Sequence, residues 1–307
     1  TGIHTLSLPD AVPICRTLVT SPDQFVEVRE QPSLARIVRE KTAYLNLRRF
    51  GRRRALTPAR SRPESRLRLP DSNLARRYKH LVYTTLRACR ELDRAAMRDV
   101  AIRIYELINW GGVQYARLYT DAVRRTFMAD TTGHRFAATV AVIDNLARLM
   151  LVKDEFYVAH LLTSFEKLRR DRQRYNVNVA NGDRIRYKRT FHPRFFGKMV
   201  SIRIPNFSLY ILRELRFLRR ILPAFHRQDR QFLAWYRSLI DRFDFSDDQQ
   251  YRQWLEILQS PREVTGYREY RYPKMDAVRR RVDQLRAGLA SHRNATSPKR
   301  RQSRRQD

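Results

Sequence analysis

Apolar side chains recur every three to four positions over most of the chain, a spacing that predicts amphipathic helices. Leu34, Ile37, Val38, Lys41, Tyr44 and Leu45 form one stripe, and Leu74, Tyr78, Leu81, Val82, Thr85, Leu86 and Cys89 form a second. A third runs through Met97, Val100, Ala101, Ile104 and Ile108 until Gly111-Gly112 stops it, and Tyr115 to Phe127 resumes as the other arm of a helix–turn–helix over residues 95–128. Residues 113–120, VQYARLYT, echo residues 156–163, FYVAHLLT, so that Ala116, Leu118 and Thr120 coincide with Ala159, Leu161 and Thr163. The echo reads as a duplicated helical hairpin, with no third copy to extend it into a solenoid.

The run from Leu146 to Tyr187 departs from this regularity. An apolar helix runs into Lys153-Asp154-Glu155, yet Phe156, Ala159, Leu162 and Phe165 continue the helical spacing of Leu149 and Val152 across the three charges. Carboxylates are almost never fully buried unless paired, so the triplet is either a solvated face or a cluster neutralised by the many nearby arginines. A paired, structural network is the sharper expectation.

Beyond Arg174 the period changes from helical to alternating. Val177 and Val179 precede Asn181-Gly182, with Arg184 to Lys188 after it, the signal of a two-residue β-hairpin. Lys198 to Ile204 alternates as well, so a small antiparallel β-hairpin or sheet is expected around 176–204, interrupting a mainly α, or α+β, multi-helix fold. Helices then return. Ile211, Leu215, Leu218 and Leu222 share one face and Arg213, Arg216 and Arg220 another; Pro223 separates them from the stripe Phe232, Trp235, Tyr236, Leu239, Ile240 and Phe243. Ser246 can cap a helix carrying Tyr251, Trp254, Leu255 and Leu258, and Met275, Val278, Val282, Leu285 and Leu289 mark the last one. Aromatic rings at this spacing read as core rather than as base-stacking platforms.

Domain organisation follows from where the pattern fails. Residues 1–32 form an irregular lead-in, 33–290 the helical domain, 48–73 an Arg- and Pro-rich loop within it, and 291–307 a basic, disordered tail. The 307 residues are 42% hydrophobic, enough for a sizeable core. Cys15 and Cys89 fit neither a disulfide framework nor a metal knuckle and point to a reducing compartment, the cytoplasm by default. No apolar run approaches the ~20 residues of a membrane helix, and the chain opens on Thr, the expectation for a fragment of a longer polypeptide.

The net charge of +32 raises nucleic-acid binding as an alternative function, acting through the basic loop and tail. Only eight of the 63 basic residues are lysines, however, and the arginines are scattered over nearly every helix. Arginine serves bidentate pairing to carboxylates of a partner equally well.

Candidate chemistry is sparse. The sequence holds no phosphate loop, HExxH, nucleophile elbow or Cys-x-x-Cys, and its histidines show no ligand spacing, so no catalytic, cofactor-binding or metal residue is assigned. His160 lies nearest the acidic triplet, and acid–base work by Asp154 or Glu155 would need burial and a perturbed pKa. The tyrosine-rich stretch Pro261 to Lys274, PREVTGYREYRYPK, reads as an exposed loop with Gly266, Tyr267 and Arg268 at its centre. Its residue types are those interfaces favour, although packing against the last helix accounts for them as well.

The blocks LARLMLVKDEFYVAHLLT, RRDRQRYNVNVANGDRIRY and, at 264–274, VTGYREYRYPK resemble the C-terminal domain, a domain of unknown function, of the fused indolepyruvate ferredoxin oxidoreductases. The similarity runs from about Ser33 to about Leu289. It implies an intact enzyme that oxidatively decarboxylates aryl-pyruvates to acyl-CoA and passes electrons to ferredoxin, using thiamine diphosphate, magnesium and iron–sulfur clusters. Those cofactors belong to other modules: the Gly-Asp-Gly motif of that class is not completed at Gly182-Asp183, and two cysteines do not ligate a cluster. The resemblance therefore implies a non-catalytic structural or assembly domain whose partners are the other modules or subunits. Lys153, Asp154, Glu155, Gly266, Tyr267 and Arg268 are its candidate structural or interface residues.

Overall fold

The computed structural model describes residues 31–49, 71–178, 181–183, 185, 206–221, 226–266 and 270–296, with short strand segments between 189 and 204. Thr1–Ser33 separate from the rest as a unit of their own, and the fold belongs to Leu34–Asp307. It is mainly helical. The expected lead-in and most of the loop 48–73 lie outside the described residues.

Helix α1 (Leu34–Arg49) packs on α2 (Asn73–Ala88) and α3 (Arg94–Gly111). The Ser72 Oγ accepts from the Ala75 N–H at 3.2 Å and starts α2; Asp93 does the same for α3 through the Ala96 N–H at 2.6 Å. The stripes read from the sequence face inward: Ile37, Val38, Tyr44 and Leu45 from α1, Tyr78, Leu81, Val82 and Leu86 from α2, and Val100, Ala101, Ile104 and Ile108 from α3 are all buried. Gly112, at φ +91°, ends α3 and starts α4 (Val113–Ala129), which folds back on α3 as the expected helical hairpin.

Helix α5 (Ala137–Met150) is apolar on nearly every side and lies in the centre, against α3, α4, α10 (Arg227–Ile240) and α11 (Asp248–Gln259). Its one buried amide, Asn145, donates to the Leu258 carbonyl at 3.0 Å, which also accepts from the Tyr236 hydroxyl at 2.7 Å. Tyr78, Tyr119, Tyr236, Tyr251 and Phe232 are fully buried, as core aromatics should be. The cap of α11 is Asp247, not Ser246; the Ser246 N–H instead bonds the Gln250 side chain at 3.2 Å. Helix α12 (Tyr272–Thr296) packs on α11 and continues past Ser291, where the tail was expected to begin.

Two further expectations are corrected. The helix does not run through Lys153-Asp154-Glu155: α5 stops at Met150, and a new helix, α6 (Glu155–Leu162), begins after Asp154. The duplicated hairpin fails for the same reason, because α6 packs mainly on α8 (Asn206–Glu214) rather than folding back on α5. Both copies do begin helices and bury their alanines, Ala116 and Ala159, so the echo is one of helix starts. The strands expected on either side of Asn181-Gly182 lie largely outside the described residues. Helix α7 (Phe165–Arg174) ends before this pair, and the Asn178 carbonyl accepts from Asn181 and Asp183 to close a loop in which Gly182 has φ +87°.

The described strands lie downstream of that loop. β1 (Arg189–Phe191) pairs antiparallel with β4 (Ile202–Ile204), and β2 (Arg194–Phe195) with β3 (Lys198–Met199), on one common register. Among the described residues no helix is long and apolar enough to cross a membrane.

Candidate functional site

Asp154 is the organising residue of the molecule's charged interior. Its Oδ1 accepts from the Tyr157 N–H at 2.7 Å, so the carboxylate caps α6, and a negative charge there meets the positive end of the helix dipole. A carboxylate caps best outside the helix, which is why α5 cannot run on through it.

The break leaves carbonyls that need donors. Tyr115 gives its hydroxyl proton to the Met150 carbonyl at 2.9 Å, and Trp110 gives its indole N–H to that of Val152 at 2.9 Å. These two rings stack at 4.7 Å, so the α3–α4 turn presents a rigid aromatic clamp to the end of α5. Burial holds the Tyr115 and Tyr157 hydroxyls in their protonated, donating form, with pKa values well above the usual 10.

Asp154 is fully buried, and its countercharge comes from Arg219 in the short helix α9 (Leu218–Ile221), which follows α8 and a 3₁₀ turn at Leu215–Phe217. The guanidinium meets both carboxylate oxygens, Nη2 on Oδ1 at 2.6 Å and Nε on Oδ2. Its remaining nitrogen, Nη1, donates to the Trp110 carbonyl at 2.7 Å, and the plane lies 4.4 Å from the Trp110 ring.

The alternation of charge continues through the fold. His226, held at φ +56° at the start of α10, places Nε2 3.9 Å from Asp154 and Nδ1 3.3 Å from Asp229 in the first turn of the same helix. Arg271, just before α12, closes the series with Nε 3.2 Å from Asp229. Burial lowers the Arg271 pKa, partly offset by Asp229, yet a guanidinium stays charged. Cation, anion, imidazole, anion and cation thus join α6, α9, α10 and the segment entering α12.

The residues singled out from the sequence fare differently. Lys153 is exposed and Glu155 half-buried beside the fully buried Asp154. Gly266 takes φ +99°, while Tyr267 and Arg268 lie outside the described residues. Within the same stretch Tyr270 is exposed and Arg271 points inward to Asp229. Sequence reasoning missed Trp110, Arg219, His226, Asp229 and Arg271. Arg219 stands among Arg213, Arg216 and Arg220, and nothing in the sequence distinguishes the one that finds the buried carboxylate.

Next to this network, α1, α3, α6, α8 and the 3₁₀ turn surround a cleft of about 100 Å³ lined by Tyr44, Tyr105, Tyr157, His160, Tyr210 and Arg216, among others. Lys41 sits 4.8 Å from the Tyr105 ring and pairs with Glu166 at the edge. Among the described residues no group of three or more His, Cys, Asp or Glu is placed to hold a metal ion.

A model for a protein family described as a family of unknown function (DUF6537) matches residues 96–284. That span exceeds half of the chain, and the protein belongs to this family. It contains every member of the charge series, from Asp154 to Arg271, and Trp110 as well. No curated protein and no solved structure matches.

Proposed function

We propose that the chain is a non-catalytic structural and assembly domain of an indolepyruvate-type ferredoxin oxidoreductase, the enzyme that decarboxylates aryl-pyruvates to acyl-CoA. Thiamine diphosphate, magnesium and iron–sulfur clusters are then held by the other modules, ferredoxin is the electron acceptor of the whole, and the compartment is the cytoplasm. The blocks around Lys153-Asp154-Glu155 and Gly266-Tyr267-Arg268 carry the resemblance. One observation supports a structural role for the central carboxylate: both oxygens of Asp154 are occupied by a helix N-terminus and a bidentate guanidinium. A group so engaged is poorly placed to accept a substrate proton. A small antiparallel β insertion around 176–204 belongs to the same proposal, supported by the common register of the two short ladders.

The test is reconstitution of the complete oxidoreductase with Asp154→Asn and Glu155→Gln in this chain. The structural role predicts lower thermal stability or looser assembly, with turnover per assembled enzyme unchanged. Unchanged stability with lost turnover would assign the carboxylates to catalysis.

The alternative is an Arg-rich module that binds nucleic acid. It is favoured by Arg76, Arg77, His80 and Arg117, which line one shallow depression between α2 and α4. Binding to a generic oligonucleotide that weakens steeply with salt and largely vanishes on removal of residues 291–307 would support it; absent or salt-insensitive binding removes it.

A further inference from the structure

The element that carries Arg219 is inside out. From Asn206 to Ile221 the chain is helical, with one 3₁₀ turn at Leu215–Phe217. Periodicity put Ile211, Leu215, Leu218 and Leu222 on one face and Arg213, Arg216 and Arg220 on another; Ile211 is exposed, Leu215 and Leu218 are half-buried, and Leu222 lies outside the described residues. Arg213 donates to the Thr163 hydroxyl at 3.4 Å, Arg216 to the Asn109 carbonyl at 3.2 Å, and Arg219 reaches Asp154, so the arginine side faces the body of the domain. Leu209 is the large apolar residue on that side, and it is buried.

Facing away are Phe207, Ile211, Phe217 and Ile221, exposed by 63, 56, 51 and 62%. With Glu214 they fall at intervals of four, three, three and four residues, which is one continuous side of a helix. Glu214 is not an isolated charge on it, because the Arg213 Nε donates to its Oε1 at 2.9 Å. Single exposed apolar residues are ordinary, whereas four large ones in a row along one element mark a contact surface.

Charge decides what fits this surface. By sequence the segment carries four arginines, Arg213, Arg216, Arg219 and Arg220, to one carboxylate, Glu214, and the chain as a whole carries +32. A second copy meeting the first through the same patch would set the two net charges against each other. An acidic protein is drawn to it at long range and its apolar centre covered at contact.

We propose that the Phe207–Ile211–Phe217–Ile221 face is the docking surface for a different protein whose contact region is apolar at its centre and acidic at its rim. Resting on the function proposed above, that protein is an oxidoreductase module of the enzyme this domain assembles with.

The experiment measures binding of the full 307-residue chain to the purified oxidoreductase modules, comparing wild type with Ile211→Asp, Phe217→Asp and, as an exposed apolar control elsewhere, Met128→Asp. Circular dichroism and thermal unfolding verify folding, which these solvent-facing substitutions should preserve. The expected result is a loss of affinity of tenfold or more for Ile211→Asp and for Phe217→Asp, none for Met128→Asp, and weaker wild-type binding at higher salt. Wild-type binding that both face variants retain overturns this surface while leaving the assembly function standing; no wild-type binding overturns both. A wild-type dimer dispersed by Ile211→Asp would assign the face to a second copy. Flotation with phosphatidylserine vesicles, lost in the same variant, would assign it to a lipid surface. Either result overturns the proposal.

Discussion

Arg219 reaches Asp154 across 65 residues of sequence and engages both of its carboxylate oxygens, while Asp154 itself starts the helix that α8 and the 3₁₀ turn leading to Arg219 pack against. Cap and ion pair are therefore one structure, and neither half can be removed alone without stranding the other in a site closed to water.

Breaking that pair from one side should be costly. Asp154→Ala leaves a nearly buried guanidinium without its countercharge and an uncapped helix, and a loss of about 3–5 kcal/mol is expected. Replacing both members with apolar residues, Asp154→Leu with Arg219→Met, removes the stranded charge and should cost distinctly less than the sum of the single changes. Urea unfolding of the four proteins as a double-mutant cycle checks this; additive losses would show that the residues do not act as a pair.

The neighbouring glycines at the α3–α4 turn should differ in how they respond to alanine. At Gly112 an added Cβ has open space but φ is +91°, so Gly112→Ala should cost about 1–2 kcal/mol in backbone strain alone. At Gly111 the same Cβ would lie 2.6 Å from the Tyr115 ring, which holds the end of α5. Gly111→Ala should therefore be the more damaging and should change the near-ultraviolet signal of the Trp110–Tyr115 stack, which Gly112→Ala should leave largely intact.

Cys89 gives the protein an alkaline sensitivity. Burial pushes its thiol up to about 11, while an unfolded thiol ionises near ~8.5. The folded form thus keeps a proton that the unfolded form gives up. Its contribution is fully present below ~8.5 and declines as pH rises toward 11. Urea midpoints at pH 7, 9 and 10 should fall in wild type and fall less steeply in Cys89→Ala. The reverse order would contradict the burial of this thiol.

Tyr251 ties α11 to the α4–α5 connection: its hydroxyl donates to Asp130 at 2.9 Å and accepts from the Ala138 N–H at 3.1 Å. Tyr251→Phe keeps the ring but leaves that amide without its acceptor, at an expected cost of about 1–3 kcal/mol. Hydrogen exchange should report it as faster exchange at Ala138, with the amide of Thr139, which bonds Asp130 directly at 2.8 Å, following to a smaller extent.

Much of the helical scaffold was legible because each helix there has one apolar side and a marked end. Ser72 and Asp93 cap, Gly112 turns, and the stripes of α1, α2 and α3 bury the residues that periodicity selects. Legibility failed where a local signal had a second use. Asp154 within a continuous apolar period reads as a charge on a helix face, yet it ends one helix and begins another.

The sequence alone determined which positions could share a face, where chain direction could change, and that a mainly helical domain would form. Tertiary structure decided which face turns inward. For Asn206–Ile221 it is the arginine face, because Asp154, the Asn109 and Trp110 carbonyls and the Thr163 hydroxyl wait there, supplied by helices 50 to 109 residues away in sequence. Periodicity records that an arginine side and an apolar side exist; only the assembled neighbours determine that the cations are satisfied inside and the apolar side is left exposed.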